Sequence, residues 1–155
     1  MLDSCRLELK RCLFDLRGHA LEEKDLADAI HTTLAPLCDG IELDIDFNIR
    51  RTHFDDTTAH ATLCMIRELV SNAIRHGRAT KIRVAGEYCG GTLSFSVCDN
   101  GCGFDPDNCA GPSQGHFGLA GVRERAERLD GTVEVLSEPD KGTRANVKLK
   151  IENLK

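Results

Sequence analysis

The chain has 155 residues, of which 41% are hydrophobic and 29% are charged, a size and composition typical of one globular domain. Its net charge of −5 argues against a general nucleic-acid binder, because such proteins present a basic face. No apolar run approaches the ~18 residues that a membrane helix needs, and the first residues lack the pattern of a signal peptide, so we predict a cytosolic domain.

The first third of the chain predicts two helices and a strand. Apolar residues at alternating spacings of three and four over residues 2–16 form a short heptad seam, typical of a helix that packs lengthwise on another helix, and Gly18 ends it. Asp25 can cap a second helix that ends near Pro36. Over residues 41–49, apolar and mostly polar positions alternate, which predicts a half-buried strand.

The middle of the chain predicts a long helix followed by a β-hairpin. Asp55 or Asp56 can cap the helix, which runs to His76. Residues 81–87 and 93–99 alternate between apolar and polar positions, which predicts two strands joined by a Gly-Gly turn.

The last third predicts a loop, a helix and a second hairpin. Residues 100–118 are rich in Gly, Asn, Asp and Pro, which indicates a long loop, and residues 119–129 form a helix that an Asp-Gly pair stops. The final strands, 132–136 and 144–151, flank a turn over residues 138–142. Runs of adjacent strands imply a mixed, mostly antiparallel sheet. The predicted fold class is therefore α+β, a two-layer α/β sandwich with the helices on one face.

The cysteines bear on the question of disulfides and metal binding. None are arranged as Cys-x-x-Cys or in paired metal-ligand spacing, so we interpret them as free thiols that act as small apolar residues in a reducing compartment. A redox or metal role for the last three, which lie near a motif described below, has no support from their spacing. The eight are Cys5, Cys12, Cys38, Cys64, Cys89, Cys98, Cys102 and Cys109.

A polar stripe on the long predicted helix is the first candidate site. Glu68, Asn72 and His76 are spaced four apart, so they lie within an arc of about 80° on a helix that is otherwise apolar. Carboxylate and carboxamide oxygens suit Mg²⁺, which takes substrate phosphates and waters as its other ligands. Arg75 adds a positive group near the same end. On this motif alone, a solvated helix face is an equally good interpretation.

The second candidate site begins at the end of a predicted strand. Asp99 shares the parity of the apolar residues of its strand, so we expect its carboxylate to face the buried side. A buried carboxylate needs a hydrogen-bond partner, which the amino group of a ligand can provide. Gly101 and Gly103 follow and allow the backbone to approach a ligand closely. An ordinary Asp-Asn-Gly turn is the better interpretation when this motif is taken alone.

Two further glycine motifs are weak when each is taken alone. Gly115, Gly118 and Gly121 are spaced by three and lead into a predicted helix, whose free N–H groups attract phosphate. A flexible loop before a helix has the same pattern, and the motif is neither a Walker phosphate loop nor a Rossmann fingerprint. Gly142-Thr143 stands at the start of the last predicted strand and by itself indicates only a turn.

Together, in this order and spacing, the four motifs resemble the nucleotide-binding boxes of the family that includes histidine kinases, DNA gyrase B, Hsp90 and MutL. The resemblance covers residues 25–151 and implies a Bergerat-type ATP-binding fold, with ATP and Mg²⁺ as cofactors. The runs 68–76 and 117–131 are similar to those of NarL/DesK-type sensor kinases, and the short loop between Gly103 and Gly115 agrees with that subgroup.

The resemblance also implies a role for each motif residue. Glu68 would polarise the attacking group or order water beside the metal, and Asn72 would bind Mg²⁺. Asp99 would accept the adenine amino group, and Thr143 would help to hold the adenine water network. The implied catalytic residue is Glu68, the implied metal ligand is Asn72, and the implied ATP-binding residues are Asn72, Arg75, His76, Asp99, Gly101, Gly103, Gly115, Gly118, Leu119, Gly121 and Thr143.

The histidine that accepts phosphate in such kinases is the feature that the sequence does not match. In this subgroup the acceptor histidine is followed by an acidic residue, and none of the six histidines of this chain is. We therefore interpret residues 1–20 as the remnant of a dimerisation or linker helix, and residues 21–155 as the ATP-binding catalytic domain of a longer kinase. A naturally standalone protein stays open as an alternative.

The function that the resemblance implies is the catalytic domain of a two-component sensor histidine kinase. It would transfer the γ-phosphate of Mg-ATP to a histidine on a separate helical hairpin, from which a response regulator takes it. Such a domain is cytoplasmic, alone or as part of a membrane-bound sensor, with no direct membrane contact and no nucleic-acid partner. The alternatives are a standalone anti-sigma-factor-like serine kinase and a nucleotide-sensing module without transfer activity. The heptad and the Arg-rich segment 123–128 favour the sensor kinase.

Overall fold

The structure is a computed structural model, and it describes residues 25–50, 55–103 and 117–151. The predicted heptad helix, Gly115 and most of the predicted loop after Gly103 lie outside the described residues. The helices and strands are α1 (Leu26–Leu34), β1 (Glu42–Phe47), α2 (Asp56–Arg75), β2 (Lys81–Cys89), β3 (Thr92–Asp99), α3 (Phe117–Arg128), β4 (Thr132–Ser137) and β5 (Thr143–Lys150).

The strands form one five-stranded sheet in the order β1-β2-β3-β5-β4. Only β1 and β2 run parallel, and the other neighbouring strands pair antiparallel, which confirms the predicted mixed, mostly antiparallel sheet. The register pairs Asp99 with Ile82 on one side and with Thr143 on the other, and Thr143 in turn with Ser137. The last residues of β3 and β4 and the first residue of β5 therefore lie side by side at one end of the strands.

Alternation along the strands gives the sheet one apolar face and one polar face. On the polar face Arg83 forms ion pairs with Asp44 and Asp46, and all three side chains are largely exposed. The helices pack on the apolar face, as the two-layer fold class predicts. The buried strand residues of that face are Phe47, Ile82, Val84, Leu93, Phe95, Val97, Ala145, Val147 and Leu149.

Helix α2 is the central helix of the second layer, and its bounds agree with the prediction. Asp55 caps it, because its carboxylate accepts a hydrogen bond from the Thr58 N–H at 2.6 Å. His76 is the C-cap, and the chain then turns sharply through Arg78, whose φ is +52°. One face of α2 is buried by residues that include Leu63, Ile66, Val70 and Ala73. No helix among the described residues is both long and apolar enough to cross a membrane.

Helix α3 begins earlier than the sequence pattern predicts. It starts at Phe117 rather than at 119, so Gly118 lies inside the helix as well as Gly121. Asp130 takes the left-handed conformation after the helix, with φ of +52°. Gly131 is needed for a different reason, since a Cβ there would lie 2.4 Å from the carbonyl oxygen of Lys148. The glycine thus lets α3 approach β5 closely.

Candidate functional site

Asp99, the last residue of the central strand β3, presents a half-buried carboxylate at the end of that strand. Its Oδ1 accepts the backbone N–H of Gly101 at 2.8 Å, and the backbone of Thr143 also donates to the carboxylate. Burial raises the pKa of the Asp99 carboxyl, and the two backbone donors partly oppose that rise. The side chain lies in the same cross-strand row as Thr143, on the helix side of the sheet, as its parity predicts.

Thr143 has a partner that the sequence analysis missed. The hydroxyl of Ser137 lies 2.9 Å from the Thr143 hydroxyl and donates to the carbonyl of Gly142 at 3.1 Å. The signal for Ser137 was the hairpin itself, because a turn over residues 138–142 places Ser137 opposite Thr143. Asp99, Thr143 and Ser137 therefore form one polar row across three strands.

Three glycines beside the end of β3 are required by close backbone packing. An added Cβ at Gly101 would lie 2.5 Å from the carbonyl oxygen of Gly77. At Gly103, where φ is +61°, it would lie 2.1 Å from the carbonyl oxygen of Glu138, and at Gly142 2.1 Å from that of Asp99. The loop after β3 is thus held between the end of α2 and the β4–β5 turn, and at these glycine positions there is no room for a side chain.

An open groove of about 440 Å³ follows the polar row. Its walls combine the polar row with side chains of the opposite sheet face, so the groove wraps around the ends of the strands. This is a concave surface beside a carboxylate and two hydroxyls, which suits a ligand with hydrogen-bonding groups. The lining residues include Asp99, Ser137, Thr143, Cys98, Leu136 and Arg144.

The polar stripe on α2 is present as the sequence predicts. Glu68 and Asn72 are half-buried, whereas Arg75 and His76 at the end of the helix are exposed. The side-chain nitrogen of Asn72 is buried without a hydrogen-bond partner among the described residues. A buried amide N–H without a partner is costly, so the Asn72 side chain suits a ligand or a water that accepts a hydrogen bond.

The end of α2 and the loop after Asp99 contact each other directly. The backbone N–H of Cys102 donates to the carbonyl of Gly77 at 2.8 Å, and the Cys102 thiol lies 3.4 Å from the carbonyl oxygen of His76. Asn100, to which the sequence analysis gave no role, binds the segment that leads from α2 into β2. The structure therefore joins the first and second predicted motifs through the backbone.

The remaining motif, at the start of α3, is described only in part. Gly115 lies outside the described residues, and Gly118 is the second residue of α3. Leu119 is half-buried, and a Cβ added at Gly121 would meet no described atom within 4 Å. Helix α3 packs against α2 and β4, which brings this motif to the same helix layer as the polar stripe.

The donor set of α2 fits a magnesium ion. A carboxylate on Glu68 and a carboxamide on Asn72 lie one helical turn apart, and oxygen ligands of this kind suit Mg²⁺. The Asn72 side-chain nitrogen that lacks a partner is a hydrogen-bond donor, so it suits an acceptor such as a phosphate oxygen or a water, and the carboxamide oxygen is the atom that could ligate Mg²⁺. Among the residues that the structure describes, no cluster of three or more His, Cys, Asp or Glu side chains forms a complete metal cage.

Comparison with known proteins gives a family match over most of the described chain. Residues 61–153 match the family described as histidine kinase-, DNA gyrase B- and HSP90-like ATPase. The sensor histidine kinase LiaS of Bacillus subtilis is 30% identical over 151 residues, which are 97% of this chain and 41% of LiaS. The sensor protein VraS of Staphylococcus saprophyticus is 29% identical over 152 residues, which are 96% of this chain and 42% of VraS. The chain thus spans less than half the length of these relatives.

The fold is also similar to that of a solved structure. The histidine kinase domain of the Erythrobacter litoralis EL346 blue-light activated histidine kinase superposes with a TM-score of 0.70 at 21% sequence identity. The superposition covers 96% of this chain and 74% of that one. The arrangement of helices and strands is therefore one that this kinase domain shares.

Proposed function

This chain belongs to the family of histidine kinase-, DNA gyrase B- and HSP90-like ATPases, and from that premise we propose that it binds Mg-ATP as the catalytic domain of a sensor histidine kinase. The observation that carries the proposal is Asp99. Its half-buried carboxylate lies in a groove, in one row with the hydroxyls of Thr143 and Ser137. An acceptor placed at the end of a polar row suits the exocyclic amino group of adenine.

The phosphates of the nucleotide are assigned to the α2 and α3 side of the site. Asn72 would hold Mg²⁺, and Glu68 would polarise the attacking group or order water beside the metal. Arg75 and His76 would contact phosphates or ribose. The first N–H groups of α3, including that of Gly118, are donors of the kind that attract phosphate. The bound Mg²⁺ would neutralise phosphate charge, and the chain's own residues would position the γ-phosphate, which is most of what phosphoryl transfer requires.

The phosphate acceptor in this proposal is a histidine outside this chain's motifs. None of the six histidines has the acidic neighbour of a NarL/DesK-type acceptor, so a helical hairpin would supply it and a response regulator would take the phosphate from there. The names of LiaS and VraS as sensor proteins support this assignment over a serine kinase. We assign the domain to the NarL/DesK-type subgroup and to the cytoplasm on the motif resemblance.

Calorimetric titration with Mg²⁺ and a non-hydrolysable ATP analogue tests the binding part of the proposal. The unmodified chain is expected to bind in the micromolar-to-millimolar range, and Asp99→Asn is expected to abolish binding because an amide nitrogen would face the adenine amino group. Asp46→Asn is the matched control, since that carboxylate lies exposed on the opposite face of the sheet. A folded chain that binds no nucleotide would contradict the proposal.

Phosphotransfer is tested with labelled ATP and a separately made helical hairpin that carries an acceptor histidine. Acid-labile label on the hairpin histidine is the expected result. Acid-stable label on a serine would favour the serine kinase hypothesis over the histidine kinase hypothesis. Binding without any transfer would indicate a nucleotide-sensing module.

A further inference from the structure

We propose that Asn100 is a positioning residue that fixes the connection between α2 and β2 to the loop after Asp99, and thereby holds the metal side of the site at a set distance from the adenine side. This inference rests on the proposed function, because it concerns two parts of one nucleotide site. Asn100 is exposed and follows Asp99 directly, so it has the opposite parity and its side chain lies away from the Asp99 row.

The Asn100 side chain makes three hydrogen bonds to the segment that leads into β2. Its Oδ1 accepts two backbone N–H groups, from Thr80 at 3.0 Å and from Lys81 at 2.9 Å. Its Nδ2 donates to the Thr80 hydroxyl at 3.0 Å, and its backbone N–H donates to the Lys81 carbonyl at 3.2 Å. Three side-chain hydrogen bonds and one backbone hydrogen bond thus join this exposed residue to two neighbours, and we call this set of contacts the clamp.

The clamped segment is the direct continuation of α2. Helix α2 ends at Arg75 and β2 begins at Lys81, so residues 76–80 connect the polar stripe of α2 to the clamp. The same segment is held a second time by the hydrogen bond from Cys102 to Gly77. The Asn100 contacts hold the start of β2, and the Cys102–Gly77 bond holds the end of α2. The connection between α2 and β2 is therefore fixed at both ends to the loop after Asp99, which limits how far Asn72 can move relative to Asp99.

The chemistry of the clamp predicts which substitutions preserve it. Asn100→Asp keeps an acceptor for both backbone N–H groups, and the Thr80 hydroxyl can reverse its role and donate to the second carboxylate oxygen. Asn100→Ala removes all three side-chain hydrogen bonds. Thr80→Val removes only the bond to the hydroxyl and leaves both backbone donors in place.

The test compares two ligands that use different parts of the site. Adenosine reports on the Asp99 side alone, and an ATP analogue with Mg²⁺ reports on both sides. For Asn100→Ala we expect adenosine affinity to change little, because the Gly101 and Thr143 donors to Asp99 remain. The affinity for the Mg-ATP analogue is expected to fall about tenfold, a coupling of ordinary size between two sites. Asn100→Asp is expected to restore it, and Thr80→Val to show a smaller loss in the same direction.

A purely structural role for Asn100 predicts a different result. A variant that is only less stable keeps both affinities at temperatures well below its unfolding midpoint, or loses both by the same factor. Equal losses for the two ligands, or no loss for either, in both Asn100→Ala and Thr80→Val would overturn the inference while leaving nucleotide binding intact. If the unmodified chain binds neither ligand, the proposed function fails and the inference fails with it.

Discussion

At the scale of single residues, the carboxyl group of Asp99 determines how binding should depend on pH. Burial raises the pKa of this carboxyl above the ordinary value of an aspartate, and the N–H groups of Gly101 and Thr143 partly oppose that rise. In the proposed site, the ionised carboxylate is the form that would accept a hydrogen bond from the adenine amino group. Affinity is therefore complete above the raised pKa and falls as the pH drops through it.

Titrations with the Mg-ATP analogue over a series of pH values measure this dependence. As the pH is lowered, the affinity is expected to begin to fall at a higher pH than it would for an ordinary exposed aspartate. The pH range is limited to values at which the adenine ring is neutral. Asp46→Asn is the control, because it keeps the Asp99 carboxyl and should show the same pH dependence as the unmodified chain. An affinity that stays constant down to the ordinary range of a carboxyl group would show that Asp99 does not contact the ligand.

At the scale of elements, the two helix N-caps form a natural comparison. Asp55 accepts the Thr58 N–H at 2.6 Å at the start of α2, whereas Asp25 occupies the same position before α1 and its side chain makes no capping hydrogen bond. Asp55→Ala is expected to lower the free energy of unfolding by about 0.5–2 kcal/mol, because it leaves a helix donor without its partner. Asp25→Ala is expected to cost much less.

Urea unfolding of both variants tests the difference. Nucleotide affinity should be unchanged in Asp55→Ala at temperatures where the protein is folded, since the cap lies at the opposite end of α2 from His76. Equal losses of stability in the two variants would contradict the prediction. The hydrogen bond from Thr58 to Asp55 would then add nothing to what an aspartate without a capping bond provides.

The elements also show how far the sequence reaches. The bounds of α2 follow from its capping aspartate and its apolar periodicity, and they are confirmed to within one residue. The start of α3 was predicted two residues late because Gly118 has low helix propensity, which tertiary packing overrides. Asn100 was missed although the Gly90-Gly91 turn sets it opposite Lys81, since the sequence analysis placed the hairpin but did not extend its register past Asp99.

Some features of the site can be predicted from the sequence alone, and others cannot. Parity along β3 was enough to place Asp99 and the buried Val97 on the helix side, because alternation is a local property. The closeness of Gly103 to the Glu138 carbonyl depends on two turns that are far apart in sequence, so no local pattern contains it. The fold class is thus readable from periodicity, whereas the contacts that shape the groove are a property of the assembled sheet.

At the scale of the whole molecule, a bound nucleotide would contact segments that are remote in the chain. Asn72 lies on α2, Asp99 at the end of β3 and Thr143 at the start of β5, and these elements share one hydrophobic core. A ligand that binds all three only when the core is formed must stabilise the folded state of the entire domain. The free energy of unfolding should then report on the nucleotide without any assay of catalysis.

Thermal or urea unfolding in the presence of Mg²⁺ and the ATP analogue is expected to show this stabilisation. At a concentration 100-fold above Kd the gain is about 2.7 kcal/mol. Removing Mg²⁺ with EDTA at the same nucleotide concentration should reduce the gain, because the phosphates would then face the Glu68 carboxylate without a neutralising ion. Asp99→Asn should show little gain with or without Mg²⁺. An equal gain for the unmodified chain in Mg²⁺ and in EDTA would mean that the α2 stripe does not hold the metal, even if Asp99 binds the adenine.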